Sequence, residues 1–394
     1  MEEAIKENSV NSFDIKFKDN KNAYYAGDTI DGSVDLNLRS QIELHGIRIQ
    51  FRGESFVCWQ NQKVQGIYEN VSSHKSFWNQ TFTAWGSSMH EETSAVLPSG
   101  HHTFHFSVQI PVNNIPSSFE NKYGTIRYWA KAYIDRSFCE ESRVKPLTVL
   151  QLIDINSKKY QSKVSNDAEK TTCCFCFKPS SLSLAASIDR SGYCPGESIA
   201  VNCRARNRAR RDMGGIKARL IQKVIYHADK HYKMQETILS AIGGNKIERG
   251  RTKVWENQML KIPAIPPSID IASNLAVFYK VQITMVVPNG VDLQFQLPIT
   301  IGTIPLSPVT ELKKKVKLKK CTDGTCCFNH ASETYNFPLQ AFIPSTAFVD
   351  NYIFMPKRSS FTEDMIPRST PKERKRKDGD EKQPLLCPRN TYTS

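Results

Sequence analysis

Tyr24-Tyr25-Ala26-Gly27-Asp28-Thr29-Ile30 opens the first half of this chain, and Gly192-Tyr193-Cys194-Pro195-Gly196-Glu197-Ser198-Ile199 opens the second. Aligned on Gly27 and Gly196, both run aromatic, any residue, small or proline, glycine, acid, hydroxyl, isoleucine. Glycine followed by an acid suits a tight turn that needs positive φ and a local side-chain hydrogen bond. Alternating runs follow each copy, Gly32-Ser33-Val34-Asp35-Leu36-Asn37-Leu38 and Ala200-Val201-Asn202-Cys203. Period-two alternation marks a strand buried on one face. A phrase repeated on this scale predicts two like β-domains in tandem, which points to a scaffold before an enzyme.

The rest of the chain continues the pattern. Phe13–Phe17, Leu44–Phe51, His102–Ile110 and Arg127–Ile134 read as short strands, and residues 60–92 read as a polar, irregular strand connection. Residues 156–180 read as a linker ending in Thr172-Cys173-Cys174-Phe175-Cys176-Phe177-Lys178-Pro179. Ile216–Ile221, Phe278–Val286 and Leu297–Leu306 resume the strand grammar, and beyond about 307 charge, Ser, Thr and Pro replace it. The expectation is an all-β chain of two tandem immunoglobulin-like antiparallel β-sandwich domains, 1–155 and 181–306, with a disordered basic tail, 307–394.

The 394 residues suffice for two ordinary domains plus that tail, and the net charge of +14 calls for an acidic partner. The opening Met1-Glu2-Glu3-Ala4 lacks a secretory pattern and no apolar run is long enough to span a bilayer, so a cytosolic location is expected. Eleven cysteines, irregularly spaced, are then expected as thiols, and the sequons at Asn70 and Asn79 as chance matches. No Gly-rich phosphate loop, Gly-x-Ser-x-Gly elbow or His-Glu-x-x-His occurs, so neither enzyme activity nor a cofactor is expected.

Several strings are more specific. Leu97-Pro98-Ser99-Gly100 and Pro116-Ser117-Ser118-Phe119-Glu120-Asn121-Lys122-Tyr123-Gly124-Thr125-Ile126-Arg127-Tyr128 resemble the N-domain signature of the α-arrestins, the arrestin-domain-containing proteins. Gly192–Glu197, Leu260-Lys261-Ile262-Pro263 and Leu297–Leu306 resemble their C-domain, so the likeness spans roughly 13–306. It implies two curved sandwiches joined by a hinge. It also implies an adaptor that binds cytoplasmic regions of membrane receptors or transporters and links them to endocytic and endosomal sorting and to ubiquitin ligation. One departure stands out. The family's tail carries Pro-Pro-x-Tyr motifs that dock WW domains, whereas the only Pro-Pro here is Pro266-Pro267, within the second domain. Direct WW docking of a ubiquitin ligase is therefore not carried over.

The tail offers other signals. Glu381-Lys382-Gln383-Pro384-Leu385-Leu386 fits the acidic dileucine pattern read by clathrin adaptors, with Glu381, Leu385 and Leu386 as its anchors. Tyr352-Ile353-Phe354-Met355 fits a tyrosine sorting motif through Tyr352 and Met355, or else a strand-like segment packed on the second domain. Cys173, Cys174 and Cys176, and Cys321, Cys326 and Cys327 after a lysine run, admit three readings: plain thiols, S-acylation, or zinc ligation. The run itself, Lys313, Lys314, Lys315, Lys317, Lys319 and Lys320, suits an anionic membrane surface. Arg204, Arg206, Arg208, Arg210 and Arg211 are either a solvated face or a contact for anionic headgroups or phosphate. Lys372–Lys377 is an import signal or a solvated run, and His101, His102 and His105 are surface histidines before they are a metal site.

Two functional classes follow. The favoured one is a non-enzymatic cytosolic adaptor, peripheral at plasma membrane and endosomes. The other is a constitutive structural subunit of an endosomal coat or retrieval complex. Nucleic acid is not an expected partner, because the basic segments lack interleaved aromatics for base stacking.

Overall fold

The computed structural model describes residues 9–64, 66–88, 93–136, 141–172 and 180–306. Eleven strands build the N-domain: β1 (Val10–Phe17), β2 (Ala23–Tyr25), β3 (Thr29–Leu38), β4 (Ile42–Leu44), β5 (Gly46–Val64), β6 (Ile67–Gly86), β7 (Ala95–Leu97), β8 (Gly100–Gln109), β9 (Phe119–Asn121), β10 (Gly124–Asp135) and β11 (Glu141–Leu150). Nine build the C-domain: β12 (Val164–Thr172), β13 (Ser180–Ile188), β14 (Gly192–Tyr193), β15 (Ser198–Asn207), β16 (Ile216–Ala228), β17 (His231–Gly243), β18 (Thr252–Lys261), β19 (Leu275–Met285) and β20 (Leu293–Ile301). In the N-domain, sheet β1-β3-β8 faces sheet β2-β11-β10-β5-β6; in the C-domain, β12-β13-β15-β18 faces β14-β20-β19-β16-β17. Pairing is antiparallel except where β2 meets β11 and β14 meets β20.

The two glycine-acid turns do the same work in both domains. Gly27 and Gly196 hold φ of 90° and 88°, a region that only glycine enters cheaply. Asp28 Oδ2 accepts from Tyr25 N at 3.0 Å, as Glu197 Oε2 accepts from Cys194 N at 2.7 Å. Gly27 N donates to Ile110 O at 3.2 Å, and Gly196 N to Ile262 O at 3.1 Å. Each turn thus carries the chain from a short parallel strand in one sheet to a long strand in the other. A second device is duplicated as well. Tyr128 and Tyr279 each donate a hydroxyl at 2.6 Å to the carbonyl of Pro116 and Pro266, while Ser118 and Ser268 accept from Val149 N and Ile301 N at 3.0 Å. Pro266-Pro267 is accordingly a buckle inside the C-domain.

Alternation fills the cores. Phe13, Ile15 and Phe17 of β1, Val34, Leu36 and Leu38 of β3, and Ile47, Ile49 and Phe51 of β5 point inward. Phe51 stacks on Trp78 with centroids 5.2 Å apart and meets Phe106 edge-on at 5.7 Å. In the C-domain, Ile199, Val201, Cys203 and Ala205 of β15 face Leu220, Val224, Tyr226, Val281 and Ile283 across the sandwich, all buried. Each such side chain contributes about 1.5–3 kcal/mol through removal from water.

Two readings of the sequence need revision. Residues 60–92 do not form an irregular connection: most of them belong to the long hairpin β5–β6, paired from Gly46↔Gly86 to Val64↔Ile67. Their polarity misled because β6 is an edge strand with one solvated face, and among its described side chains only Val71 and Trp78 are buried. The linker 156–180 likewise holds a helical turn, Lys158–Gln161, and strand β12, whose residues pair with β13 from Val164↔Ile188 to Thr172↔Ser180. Charged side chains on its outward face hid that strand.

The domains share a seam. Asn274, almost fully buried, accepts from the Ser55 hydroxyl and donates to Ser73 O at 3.2 Å. Asn61 Nδ2 reaches His231 Nδ1 at 3.2 Å, and the rings of Tyr123 and Tyr226 meet edge-on at 5.8 Å. Thr303 donates to Gln151 O at 2.9 Å while accepting from Ile153 N at 2.8 Å, which zips the chain leaving the N-domain to the end of β20.

Candidate functional site: a basic pole on the C-domain

Strand β15 ends at Asn207, whose side chain is fully buried. Its Nδ2 donates to Arg211 O, Ile247 O and Glu248 O at 2.9, 3.0 and 3.1 Å, and its Oδ1 accepts from Ala209 N at 2.9 Å. One side chain therefore ties the loop after β15 to the loop between β17 and β18. Met213 and Ile247 exchange two backbone bonds, at 2.9 and 3.0 Å, and Gly214 N donates to Val286 O at 2.8 Å, which adds the loop after β19. Lys170 Nζ, from β12, donates to Val291 O at 2.7 Å.

Three loops and one strand end thus converge at one pole. Arg208, Arg210 and Arg211 are exposed there, and Lys246, Arg249 and Arg251 come from the facing loop. Two of the acids there are occupied, while Glu248 stands exposed in the facing loop. Asp212 accepts from Arg249 N at 2.9 Å, a bond that holds its carboxyl below the usual range, and it lies 3.4 Å from Lys246. Asp292 is taken up by Val287 N at 2.9 Å. Among the described residues, Arg208, Arg210, Arg211, Arg249 and Arg251 form no ion pair. Val291 stands out of the same pole with 76% of its surface exposed. Unpaired guanidinium groups beside one bare apolar side chain suit a flat anionic surface: the guanidinium fork matches phosphate, and valine can enter an interface.

Arg204 and Arg206 lie elsewhere. They sit on the outer face of β15, where Arg204 pairs with Ala185 and Val254, and Arg206 with Ser183 and Thr252. Arg204 borders a groove of about 490 Å³, floored by Ala185 and Ser187 and walled on the far side by Lys163 and Asp167. The five arginines of the predicted cluster therefore split into a stripe that leads to the pole and the pole itself.

Lys246, Arg249 and Arg251 escaped the sequence reading. The glycines of Gly243-Gly244-Asn245-Lys246-Ile247-Glu248-Arg249-Gly250-Arg251 mark a turn with basic tips, but only the fold shows which other loop it faces. His101 and His105 share an exposed face of β8, while His102 turns to Pro98 O at 2.9 Å. Among the described residues no three His, Cys, Asp or Glu groups gather as a metal site. Cys194 and Cys203 are free and buried, and burial pushes both thiols up to about 12. Cys58 is disulfide-bonded, an exception to the expectation of thiols throughout. Cys173, Cys174, Cys176, Cys321, Cys326, Cys327, the lysines 313–320, Tyr352, Met355, Glu381, Leu385 and Leu386 lie outside the described residues.

Residues 13–156 match the family described as Arrestin (or S-antigen), N-terminal domain, and 178–306 match Arrestin (or S-antigen), C-terminal domain. Arrestin domain-containing protein 4 of mouse, like that of human, is 30% identical over 305 residues, covering 76% of this chain and 73% of the relative. The chain belongs to the α-arrestin family. Human thioredoxin-interacting protein is 27% identical over 295 residues, 75% of either chain. This membership makes the chain an arrestin-type adaptor, a non-enzymatic scaffold that binds other proteins. No described helix is long and apolar enough to cross a membrane.

Proposed function

We propose that this α-arrestin is a cytoplasmic adaptor that rests the pole of its C-domain on an anionic membrane surface. From there it presents its sandwiches to cytoplasmic regions of receptors or transporters. The observation that carries this reading is the convergence of Arg208, Arg210 and Arg211 with Arg249, Arg251 and bare Val291 at one end of the molecule. Thr172, which pairs with Ser180, and Ser181, whose carbonyl accepts from Arg208 N at 3.0 Å, bring the described residues on either side of Cys173, Cys174 and Cys176 to this pole. Acyl chains on those cysteines would enter the same surface. A lipid chain with basic residues anchors stably where either alone does not. The lysine run 313–320 adds charge, and Cys326 and Cys327 further acylation sites. The dileucine of Glu381, Leu385 and Leu386 would recruit clathrin-adaptor machinery for endocytic and endosomal sorting, with Tyr352 and Met355 as a second sorting signal. Ubiquitin ligases would then join through the cargo or another protein.

The test is sedimentation with vesicles of phosphatidylcholine alone or with phosphatidylserine. Each basic residue near such a surface contributes about 1 kcal/mol, so Arg208→Gln, Arg210→Gln and Arg211→Gln together should weaken binding roughly 100-fold. Salt should have the same effect. Equal binding of the triple variant, or equal binding to neutral vesicles, would remove the pole from the mechanism. Separately, Leu385→Ala with Leu386→Ala should abolish colocalisation with adaptor complexes; unchanged colocalisation eliminates the dileucine.

A further inference from the structure

Strand β13 turns Leu182, Leu184, Ala186 and Ile188 to the core, so Ser181, Ser183, Ala185 and Ser187 lie on the outer face of sheet β12-β13-β15-β18. Residues paired directly across a ladder share a face. Ala185 therefore stands between Asp167 of β12 and Arg204 of β15, and Ser183 between Glu169 and Arg206. Two acids line one side of β13 and two arginines the other, with nothing longer than a serine between them. The groove of about 490 Å³ lies over the first of these rows and runs on to Val254 of β18, which is half-exposed beyond Arg204.

These charges are not neutralised within the fold. Asp167, Glu169, Arg204 and Arg206 form no ion pair among the described residues, and the strand between them keeps the two walls about 9.6 Å apart. The N-domain shows the same place in a neutralised form. Aligned on Gly27 and Gly196, Asp35 takes the position of Arg204 and Asn37 that of Arg206. Asp35 is held by Lys16 Nζ at 2.7 Å and by the Ser33 hydroxyl at 3.2 Å. Lys16 pairs with Ser33 as Ser187 pairs with Asn202, so a serine stands in the C-domain where the neutralising lysine stands in the N-domain. The N-domain sheet also ends at β1, and among the described residues no strand there matches β12 or its acids.

This geometry specifies an occupant. An extended chain lying along β13 sends alternate side chains to opposite sides, with a repeat of about 6.8 Å on each side, the spacing that also separates Asp167 from Glu169 and Arg204 from Arg206. An α-helix, about 10–12 Å across with its side chains, is too wide for the bed. The fitting sequence alternates base and acid, bases toward β12 and acids toward β15, and carries almost no net charge. Lys163 and Glu256 line the other end of the groove with the signs exchanged, which penalises a slip of the ligand along it. The chain's own run Lys372–Lys377 does not fit: with Lys372, Arg374 and Arg376 toward the acids, Lys375 and Lys377 meet the arginines.

We propose that the groove over β13 is a docking site for an extended, charge-alternating segment of a partner protein, its bases turned to Asp167 and Glu169 and its acids to Arg204 and Arg206. The basic pole takes no part in this contact, and the proposal stands whether or not that pole meets a membrane.

The probe is the amidated, fluorescein-labelled peptide Ser-Lys-Glu-Lys-Glu-Ser, titrated with the full chain at low ionic strength and followed by anisotropy. A companion of equal composition, Ser-Lys-Lys-Glu-Glu-Ser, keeps the net charge and destroys the alternation. Arg204→Glu with Arg206→Glu reverses one wall, Asp167→Lys with Glu169→Lys reverses the other, and all four together exchange the walls. Ala185→Trp fills the bed and leaves every charge in place. The alternating peptide should bind. The block peptide, either single-wall variant and Ala185→Trp should each lose more than about tenfold in affinity. The exchanged walls should restore binding, because the peptide then shifts by one residue. Arg208→Gln, Arg210→Gln and Arg211→Gln together should change nothing, since the peptide has no net charge for the pole to attract. Absence of binding, equal binding of the two peptides, undiminished binding by Ala185→Trp, or a fourfold variant of unchanged Tm that fails to recover would each overturn the proposal.

Discussion

Asn207→Ala should be the most costly single change at the basic pole. The wild-type amide satisfies three carbonyls, Arg211 O, Ile247 O and Glu248 O, and one N–H, that of Ala209, in a site closed to water. Two N–H bonds shared among three acceptors, plus one accepted bond, amount to three effective hydrogen bonds. At about 1 kcal/mol net apiece the loss is roughly 3 kcal/mol, and the buried groups left unpaired push it no lower. For a domain of this size that corresponds to a fall of about 10 °C in Tm. The effect should also be local. Amide hydrogen exchange should accelerate in residues 208–215 and 244–251 and stay unchanged in the N-domain. Calorimetry or urea denaturation gives the first number, exchange mass spectrometry the second. A loss below about 0.5 kcal/mol, or acceleration spread evenly over both domains, would refute the claim that one buried amide joins the two basic loops.

Gly196→Ala should cost about 1–2 kcal/mol from backbone strain alone, because its φ is +88° and an added Cβ meets nothing within 4 Å; an unchanged Tm would show that the turn can relax. Tyr279→Phe removes the hydroxyl that donates to Pro266 O and accepts from Gln222, and denaturation should register a loss of about 1–3 kcal/mol. Cys194 and Cys203 hold their protons up to about 12 because burial disfavours the thiolate. The unfolded chain releases them near about 8.5, so this contribution is complete below that pH and declines as pH rises toward 12. Midpoints measured at pH 7.5 and 10 should fall accordingly, and Cys203→Ser should lessen the dependence. Asn274→Ala should loosen the seam, since it leaves Ser55 and Ser73 O without their partner; faster limited proteolysis between the domains is the expected result.

The twin architecture was legible because the turn that makes it is encoded locally: a glycine at positive φ and an acid three residues from the N–H that donates to it need no tertiary context. The long hairpin β5–β6 was not, because a strand wet on one face and unpaired along one side keeps few apolar residues. Strand β12 was hidden for the same reason. At the candidate site, Arg208, Arg210 and Arg211 declared themselves as a run, but their partners Lys246, Arg249 and Arg251 lie some forty positions later and are brought to them by the buried amide of Asn207, the Met213–Ile247 backbone bonds and Asp212. The β17 edge illustrates the limit most sharply. Tyr232, Met234 and Ile238 carry no mark of exposure in the sequence, since alternation states that one face is apolar without saying whether anything covers it. Only the sheet order, which places β17 last, converts a core pattern into an exposed surface.

That contrast bears on how a duplicated scaffold acquires function. The bonds shared residue for residue between the domains, from the acid-capped turns to the tyrosine–proline buckles, all lie inside or at the ends of strands, where they fix the sandwich. What differs is outside: an added strand β12 and a pole of unpaired arginines. A fold supplies rigidity, and sites are grafted onto it. The functional residues of an arrestin-type chain should therefore be sought where its two halves disagree, and in this chain the basic pole lies on the C-domain. The N-domain, fixed to it by Asn274 and Thr303, would act as the lever that sets its orientation.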